Sequence, residues 1–291
     1  MSSCNEETMS LGKVTLYIPA YNVGKYLERV LSGVMEQTYH IEEVLVIDDG
    51  SLDNTSHIAT RYASGCNRYS VRLVSHNSNK GLSAARNTGI AESCTEFIAS
   101  LDGDCVPDPL WLASLMGNFT NKKIAGVGGK LIEAEIHCMA DRWRRAHMIQ
   151  EWGTSRKINP DFLCGHSNVF RRGALIEAGG YDERLRTNGE DYYISRALFA
   201  NGYDLVYEPK ASVNHLKTDT FASIMNTAWK YGHWNFNPSA TNVFNHGLMH
   251  LSEGLEYLWF DISKSHWDII PITLAYPLWQ SWNDITDWLK K

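Results

Sequence analysis

An α/β fold with a Rossmann-like, mostly parallel sheet flanked by helices is predicted by three observations. Short β-branched runs alternate with segments whose apolar residues fall at helical spacing. The runs themselves are nearly continuous in apolar residues, as strands buried on both faces are. Each run ends in a polar or acidic stretch, where open α/β sheets bind their ligands.

The elements follow in order. Val14–Ile18 is a first strand that stops at Pro19. From Lys25 the period changes, and Leu27, Val30, Leu31, Val34 and Met35 predict a helix with Asn22 as its N-cap. Glu43–Ile47 is a second strand ending in Asp48-Asp49-Gly50-Ser51, and Asp53 and Thr55 cap a helix running through Tyr62. Val71–Ser75 is a third strand, after which Asn79-Lys80-Gly81 turns into a helix carrying Ala84, Ala85, Arg86 and Ile90. Glu96–Leu101 is the fourth, and Asp108-Pro109 opens the next helix as N-cap and N1 proline.

The second half is less regular. Phe162–Phe170 reads as a loop entering a strand, and Gly179-Gly180-Tyr181-Asp182 as a turn. A helix runs from Glu190 through Ala200 and ends at Asn201-Gly202, and Asp204–Tyr207 and Ser212–His215 are short strands. From Phe221 on, the chain is helical or loop-like and rich in tryptophan. These readings divide it into a polar tail at 1–12, an α/β domain at 13–220 and a helical extension at 221–291.

Composition narrows the function. With 291 residues, 44 % apolar and 21 % charged, the chain can build a sizeable core. A net charge of −6 argues against a nucleic-acid-coating protein, so a polyanionic substrate requires a metal ion or a few placed cations. Cys4, Cys66, Cys94, Cys105, Cys138 and Cys164 form no CxxC pair, which points to free thiols in a reducing compartment. Met1–Leu11 lacks a leader-peptide architecture, and the apolar run Ile269–Trp279 is about half the ~20 residues of a membrane span and contains two prolines. A cytoplasmic protein is expected.

Two nucleotide-binding signatures fail. No GxGxxG follows the first strand, and Gly126–Lys130 is followed by Leu131 where a phosphate-binding loop needs Ser or Thr. The glycine run is read as strand and turn. Asp102-Gly103-Asp104, by contrast, aims two carboxylates at one spot from a strand end. Such hard oxygen donors suit Mn²⁺ or Mg²⁺, although Asp-Gly is also a common turn dipeptide. Four strand ends converging with polar residues favour the site.

Pro19-Ala20-Tyr21-Asn22, Val46–Ser51, Lys80–Asn87, Asp102-Gly103-Asp104 and Gly189-Glu190-Asp191 occur in order, and over roughly residues 13 to 220 they resemble the family 2 glycosyltransferases with the glycosyltransferase-A fold. The resemblance implies that Tyr21 and Asp49 hold the base of a nucleotide-sugar against Pro19 and Ala20, and that Arg86 lies near the nucleotide. It implies that Asp102, next to Gly103, faces the ribose, and that Asp104 binds a divalent metal ion on the diphosphate. The pair Glu190-Asp191 matches the position of the family's catalytic base, with Asp191 in that role and Glu190 also suited to a helix N-terminus. Gly165-His166 resembles the loop presented to the transferred sugar, or is a polar turn.

The implied activity is inverting transfer from a nucleoside-diphosphate sugar, UDP-sugars favoured, to a glycan or lipid-linked acceptor in polysaccharide or cell-envelope synthesis. Alternatives are a sugar nucleotidyltransferase and a non-catalytic nucleotide-sugar or glycan-binding relative. Lys80 either helps neutralise phosphate or is simply solvated, and His215 is either a further metal ligand or a satisfied histidine. Seven of the ten tryptophans follow residue 228 and are expected to bury helices. An acceptor groove, a homo-oligomer contact or a peripheral membrane contact, at the inner face of the membrane, are the sharper readings. Arg142, Arg144 and Arg145, beside Trp143, are expected on a solvated helix face, the sharper reading being a face toward anionic lipid or a lipid-diphosphate acceptor.

Overall fold

The computed structural model describes residues 12–65, 67–233 and 240–290. The segment up to residue 11, with Cys4, and also Cys66 and Trp234, lie outside the described residues. The chain divides into two compact units, Met1–Ile132 with Glu151–Asn214, and Glu133–Gln150 with His215–Lys291.

In the first unit, β1 (Val14–Ala20), β2 (Glu43–Asp48), β3 (Ser70–Ser75) and β4 (Phe97–Leu101) are parallel, in the order β3-β2-β1-β4. The sheet continues through β8 (Ser167–Arg171), β6 (Ile124–Glu133), β9 (Asp204–His215) and β5 (Cys105–Pro107), with β7 (Lys157–Ile158) paired to β9. β8 runs antiparallel to both β4 and β6, so the sheet is parallel from β3 to β4 and antiparallel around β8.

Strand residues alternate between two cores, which is why each strand reads as continuously apolar. Leu16, Ile18, Val44 and Val46 pack with Leu27, Val30, Leu31 and Val34 of α1 (Gly24–Met35) and with Trp111 and Leu115 of α4 (Trp111–Met116). Tyr17, Leu45 and Ile47 face the other way. There they meet Ala85 and Ile90 of α3 (Leu82–Glu92), Leu175 of α6 (Arg172–Glu177), and Ile194 and Leu198 of α7 (Glu190–Ala200).

Several boundaries differ from expectation for identifiable reasons. β1 runs through Pro19 because the missing N–H costs nothing there. Thr15 N–H points to the β4 side, donating to Thr95 Oγ1, so Pro19 points there too, beyond the last β1–β4 pair at Tyr17↔Ser100. The two expected late strands form one, β9, in which Glu208 Oε1 accepts the Lys210 N–H beside Pro209.

Asn22 is not the cap of α1; it sits at φ 55° with its side chain on the Leu52 N–H. Val23 N–H donates instead to Thr55 Oγ1 and Gly24 N–H to Asp53 Oδ2, both at 2.9 Å. The other oxygen of Asp53 accepts the Thr55 N–H at the start of α2 (Thr55–Ala63), so one carboxylate serves two helices. α4 starts later than expected, although Asp108 does accept the Leu110 N–H ahead of it.

The second unit consists of α5 (Met139–His147), α8 (Phe221–His233), α9 (Ala240–Ser263) and α10 (Ile270–Leu289) around Trp143, Ile224, Met225, Ile272 and Tyr276. Consecutive helix positions cannot share one face, and the expected solvated basic face divides accordingly. Arg142 and Arg145 are exposed, whereas Trp143 and Arg144 are buried. Trp143 Nε1 donates to Thr273 Oγ1 at 3.0 Å, and Arg144 is held by Glu133, Asp219 and the Lys217 carbonyl.

The expected burial of the late tryptophans fails for Trp259, Trp267, Trp282 and Trp288, which are exposed. Trp259 continues an exposed apolar stripe through Phe244, Leu248, Leu251 and Leu255 on α9, and Leu274, Leu278 and Trp282 form another on α10. No helix among the described residues is long and apolar enough to cross a membrane.

Candidate active site

Register brings the predicted motifs together. Ala20 pairs with Asp48 and Asp48 with Ser75, so the ends of β1, β2 and β3 are level. On the far side of β1, the β4–β8 ladder ends at Leu101↔Ser167, and Asp102 N–H donates to the His166 carbonyl at 3.0 Å. The antiparallel return of β8 thereby sets Gly165-His166 alongside Asp102-Gly103-Asp104.

Asp49 is buried and its carboxylate is fully engaged. It accepts the Lys80 N–H on one oxygen and the Gly81 N–H on the other, at 2.9 and 2.8 Å, and His76 Nδ1 lies 2.6 Å away. Gly81 is the N-cap of α3, so the carboxylate sits where the helix dipole favours negative charge. Gly81 has φ 102°, and a Cβ there would stand 2.8 Å from the Arg186 carbonyl oxygen. Leu82 N–H and Ser83 Oγ donate to the carbonyls of Arg186 and Leu185, which fixes the 182–189 loop to the start of α3.

One turn further, Arg86 is buried among acids. Its Nη1 lies 3.1 Å from Glu190 Oε1 and its Nη2 3.4 Å from Asp102 Oδ1, and the guanidinium stands over the Tyr181 ring. Burial works against its charge, but Glu190, Tyr181 and Asp102 hold the proton on it. The backbone passes so close that a Cβ on Gly165 would stand 2.4 Å from both Nη atoms; only glycine fits.

Glu190 and Asp191 open α7, and the preceding Gly189 adopts φ 81°. Glu190 is buried against Arg86, whereas Asp191 is half-buried. Asp191 Oδ2 accepts the Gly165 N–H at 3.1 Å and Oδ1 its neighbour's N–H from Tyr192 at 2.8 Å. Burial raises both carboxyls above their ordinary values, and Arg86 opposes the rise. A carboxyl so raised is a better proton acceptor than an exposed one, provided it is ionised.

Arg86, Asp102, Gly165, His166, Glu190 and Asp191 are thus joined by direct contacts. Tyr21 is exposed, Pro19 and Ala20 end β1, and Lys80 projects into solvent beside the Asp49 contacts. His215 lies in the second unit, where its Nδ1 faces Glu133 at 3.1 Å within the Arg144 network. His76, just after the third strand, stands at one of the four converging strand ends and faces Asp49. Sequence reasoning missed Tyr181 and Arg186 as supports; they act through tertiary placement and had no legible signal.

The Asp102–Asp104 turn fits a hard divalent cation. Both carboxylates are half-buried and offer oxygen donors, while Gly103 is buried, with room for no Cβ against Val23 at 2.9 Å.

Comparison with known proteins agrees with this architecture. The profile described as Glycosyl transferase family 2 matches residues 15–179. Glycosyltransferase AglE of Haloferax volcanii is 30 % identical over 203 residues, covering 69 % of this chain and 66 % of AglE. The chain therefore spans slightly less than two thirds of that relative. Among solved structures, the mannosyltransferase PcManGT from Pyrobaculum calidifontis, in complex with GDP-Man and Mn²⁺, matches with a TM-score of 0.60 at 19 % identity over 91 % of this chain and 74 % of that one. S. aureus TarS 1-349 in complex with UDP-GlcNAc matches at 0.54 and 15 % identity, over 86 % and 73 %. The fold is the glycosyltransferase-A fold. The chain belongs to glycosyl transferase family 2, an enzyme family, which sets aside the nucleotidyltransferase reading.

Proposed function

We propose that this chain transfers a sugar, with inversion, from a nucleoside-diphosphate sugar to a hydroxyl of a glycan or lipid-linked acceptor, and that the transfer depends on Mn²⁺ or Mg²⁺. The observation that carries the reading is the hydrogen-bonded set in which Gly165 N–H binds Asp191 while the neighbouring His166 carbonyl binds Asp102. It links a candidate proton acceptor to a candidate metal turn through one loop.

In this reading Tyr21, 46 % exposed, offers its ring to the base, with Pro19 and Ala20 as the wall. Asp49 acts by fixing the start of α3, and Lys80 contributes a solvent-facing cation. Asp104 would hold the metal ion, which when bound would neutralise charge on the diphosphate, and Asp102 beside it faces the ribose. Arg86, balanced by Glu190 and Asp102, keeps the Gly165-His166 loop in position beside the transferred sugar. Asp191 takes the proton of the acceptor hydroxyl as its oxygen attacks the anomeric carbon. The bond from that carbon to the diphosphate oxygen breaks, and the nucleoside diphosphate leaves with the electron pair. Displacement from the opposite face inverts the centre.

Structural neighbours solved with GDP-Man and with UDP-GlcNAc support a nucleotide-sugar donor, and a UDP-sugar is the first to test. We read the protein as cytoplasmic, at the inner membrane face if peripheral, and the exposed apolar stripes of α9 and α10 support seating on a membrane surface or on a second copy of itself. A thermal-shift screen of nucleotide-sugars with Mn²⁺ tests the donor, because a bound donor raises stability by mass action. Stabilisation by one donor, followed by its metal-dependent turnover, is expected; no response to any nucleotide-sugar with either metal would overturn the reading.

A further inference from the structure

Among the described residues, one group of three metal-ligating side chains is gathered closely enough to share an ion, and it lies away from every motif discussed above. His246 and His250 stand four residues apart on one face of α9, and Asp284 reaches them from α10. One ligand atom from each lies within 4.8 Å of the other two. Asp284 Oδ2 is the hub, 2.9 Å from His250 Nε2 and 3.4 Å from His246 Nδ1.

We propose that His246, His250 and Asp284 form a second metal site, selective for a borderline-soft divalent ion of the Zn²⁺ class. Zinc bonds of about 2.0–2.2 Å set tetrahedral donor atoms about 3.4 Å apart. The Asp284–His246 separation already has this value, and the Asp284–His250 pair needs to open by only about half an ångström. Two imidazoles and a carboxylate favour Zn²⁺ over Mn²⁺ or Mg²⁺, the reverse of the all-oxygen Asp102–Asp104 turn.

The surroundings are those of a ligand set rather than of loose ion pairs. Asp284 Oδ1, the oxygen turned away from the histidines, accepts Trp229 Nε1 of α8 at 2.8 Å, which fixes the carboxylate plane. His250 Nδ1, the nitrogen not offered to the ion, faces Glu253 Oε2 at 3.6 Å, and Glu253 is itself held by Tyr276 Oη at 2.8 Å. A donor behind a ligating carboxylate orients a metal ligand in the manner of Trp229, whereas Glu253 stands beyond hydrogen-bond distance of His250. His250 and Asp284 are buried while His246 is half-buried, so three protein donors leave a fourth position on the His246 side. The site ties α9 to α10, with Trp229 supporting it from α8.

The full chain, stripped with chelator, is incubated with Zn²⁺, desalted and assayed for bound metal, and its Co²⁺ form is examined by visible absorption. One retained equivalent of zinc and tetrahedral cobalt bands are expected. Both should persist in Asp104→Ala and disappear in His246→Gln, whose half-buried position limits the damage to packing. A zinc-dependent rise in the melting temperature of the unaltered chain, larger than with Mn²⁺, provides a readout that needs no variant. Failure of the unaltered chain to retain zinc would overturn the site, as would equal retention by His246→Gln, which would mark the ion as adventitious.

Discussion

Arg86 Nη1 lies 3.1 Å from Glu190 Oε1 with both side chains buried, and each neutralises a charge the other cannot surrender to water. Removing Glu190 leaves the buried Arg86 with only the longer contact to Asp102, at a cost approaching the ~3–5 kcal/mol of a broken buried pair. Glu190→Ala is therefore expected to destabilise the protein by about that amount in urea unfolding. The double variant Arg86→Met with Glu190→Met should recover much of the loss. Loss under about 1 kcal/mol, the range of exposed pairs, would show that the pair is not a structural requirement.

Asp191→Asn keeps the side chain's shape but removes its capacity to take a proton. Transfer should fall about 10²–10⁴-fold while the donor dissociation constant stays near its original value. In the unaltered enzyme the acceptor is competent only when ionised, and its burial raises the carboxyl, so activity should rise with pH through a limb above the ordinary aspartate range. A normal rate in Asp191→Asn, or an acid limb at the ordinary value, would send the search for the base elsewhere.

Asp104→Ala should mimic chelation. Calorimetry with a nucleoside diphosphate and Mn²⁺ is expected to show affinity lost in this variant and lost in the unaltered chain with EDTA. Undiminished binding in EDTA would contradict the assignment of the Asp102–Asp104 turn.

For Asp49, stability and binding are expected to move together. Its oxygens accept Lys80 and Gly81 N–H groups, so Asp49→Ala leaves two helix-start donors unsatisfied and should cost about 1–3 kcal/mol besides raising KM. A higher KM with an unchanged melting temperature would instead indicate a side chain that touches only the donor.

Acid should loosen the second unit. Glu133 is pushed up by burial but pulled further down by His215 and Arg144; in Asp141 burial is likewise outweighed, by N–H groups of Asp219 and His137. Both carboxyls end below their unfolded values, so their stabilisation is present above the unfolded pKa and is lost as pH falls through the folded one. Segments 133–150 and 215–291 carry eight of the ten tryptophans, so fluorescence melts report mainly on this unit. Its melting temperature should drop as pH is lowered from about 5 toward 3; a flat profile would contradict this.

The parallel half of the fold was legible because strands buried on both faces leave an unmistakable apolar run, as Val44–Ile47 does. Motif positions were legible too, since Asp102 and Asp191 must lie where strands and helices terminate. What stayed hidden depends on register and on side chains acting at a distance. Nothing in Gly165 announces that Arg86 leaves no room for a Cβ, and nothing in Asp53 announces that it caps the preceding helix as well as its own. Arg144 looked solvated because adjacent basic residues suggest a charged face; its burial follows from the phase of α5, which four neighbouring letters do not define. The late tryptophans misled in the opposite direction, for aromatic richness says nothing about which side of a helix is covered.

The alternation of the two units along the chain has a consequence for biosynthesis. As the polypeptide leaves the ribosome, Met1–Ile132 delivers the parallel strands early, but β8 and β9 close the sheet only once the chain has passed residue 171 and then 215. Segment 133–150 emerges before β8 and must wait for 215–290 to supply its partners, with Trp143 uncovered in the interval. Pairings of such sequence separation are slow and expose apolar surface while they wait. Truncated or stalled chains ending between residues 150 and 215 are thus the species in which chaperone dependence and aggregation should concentrate.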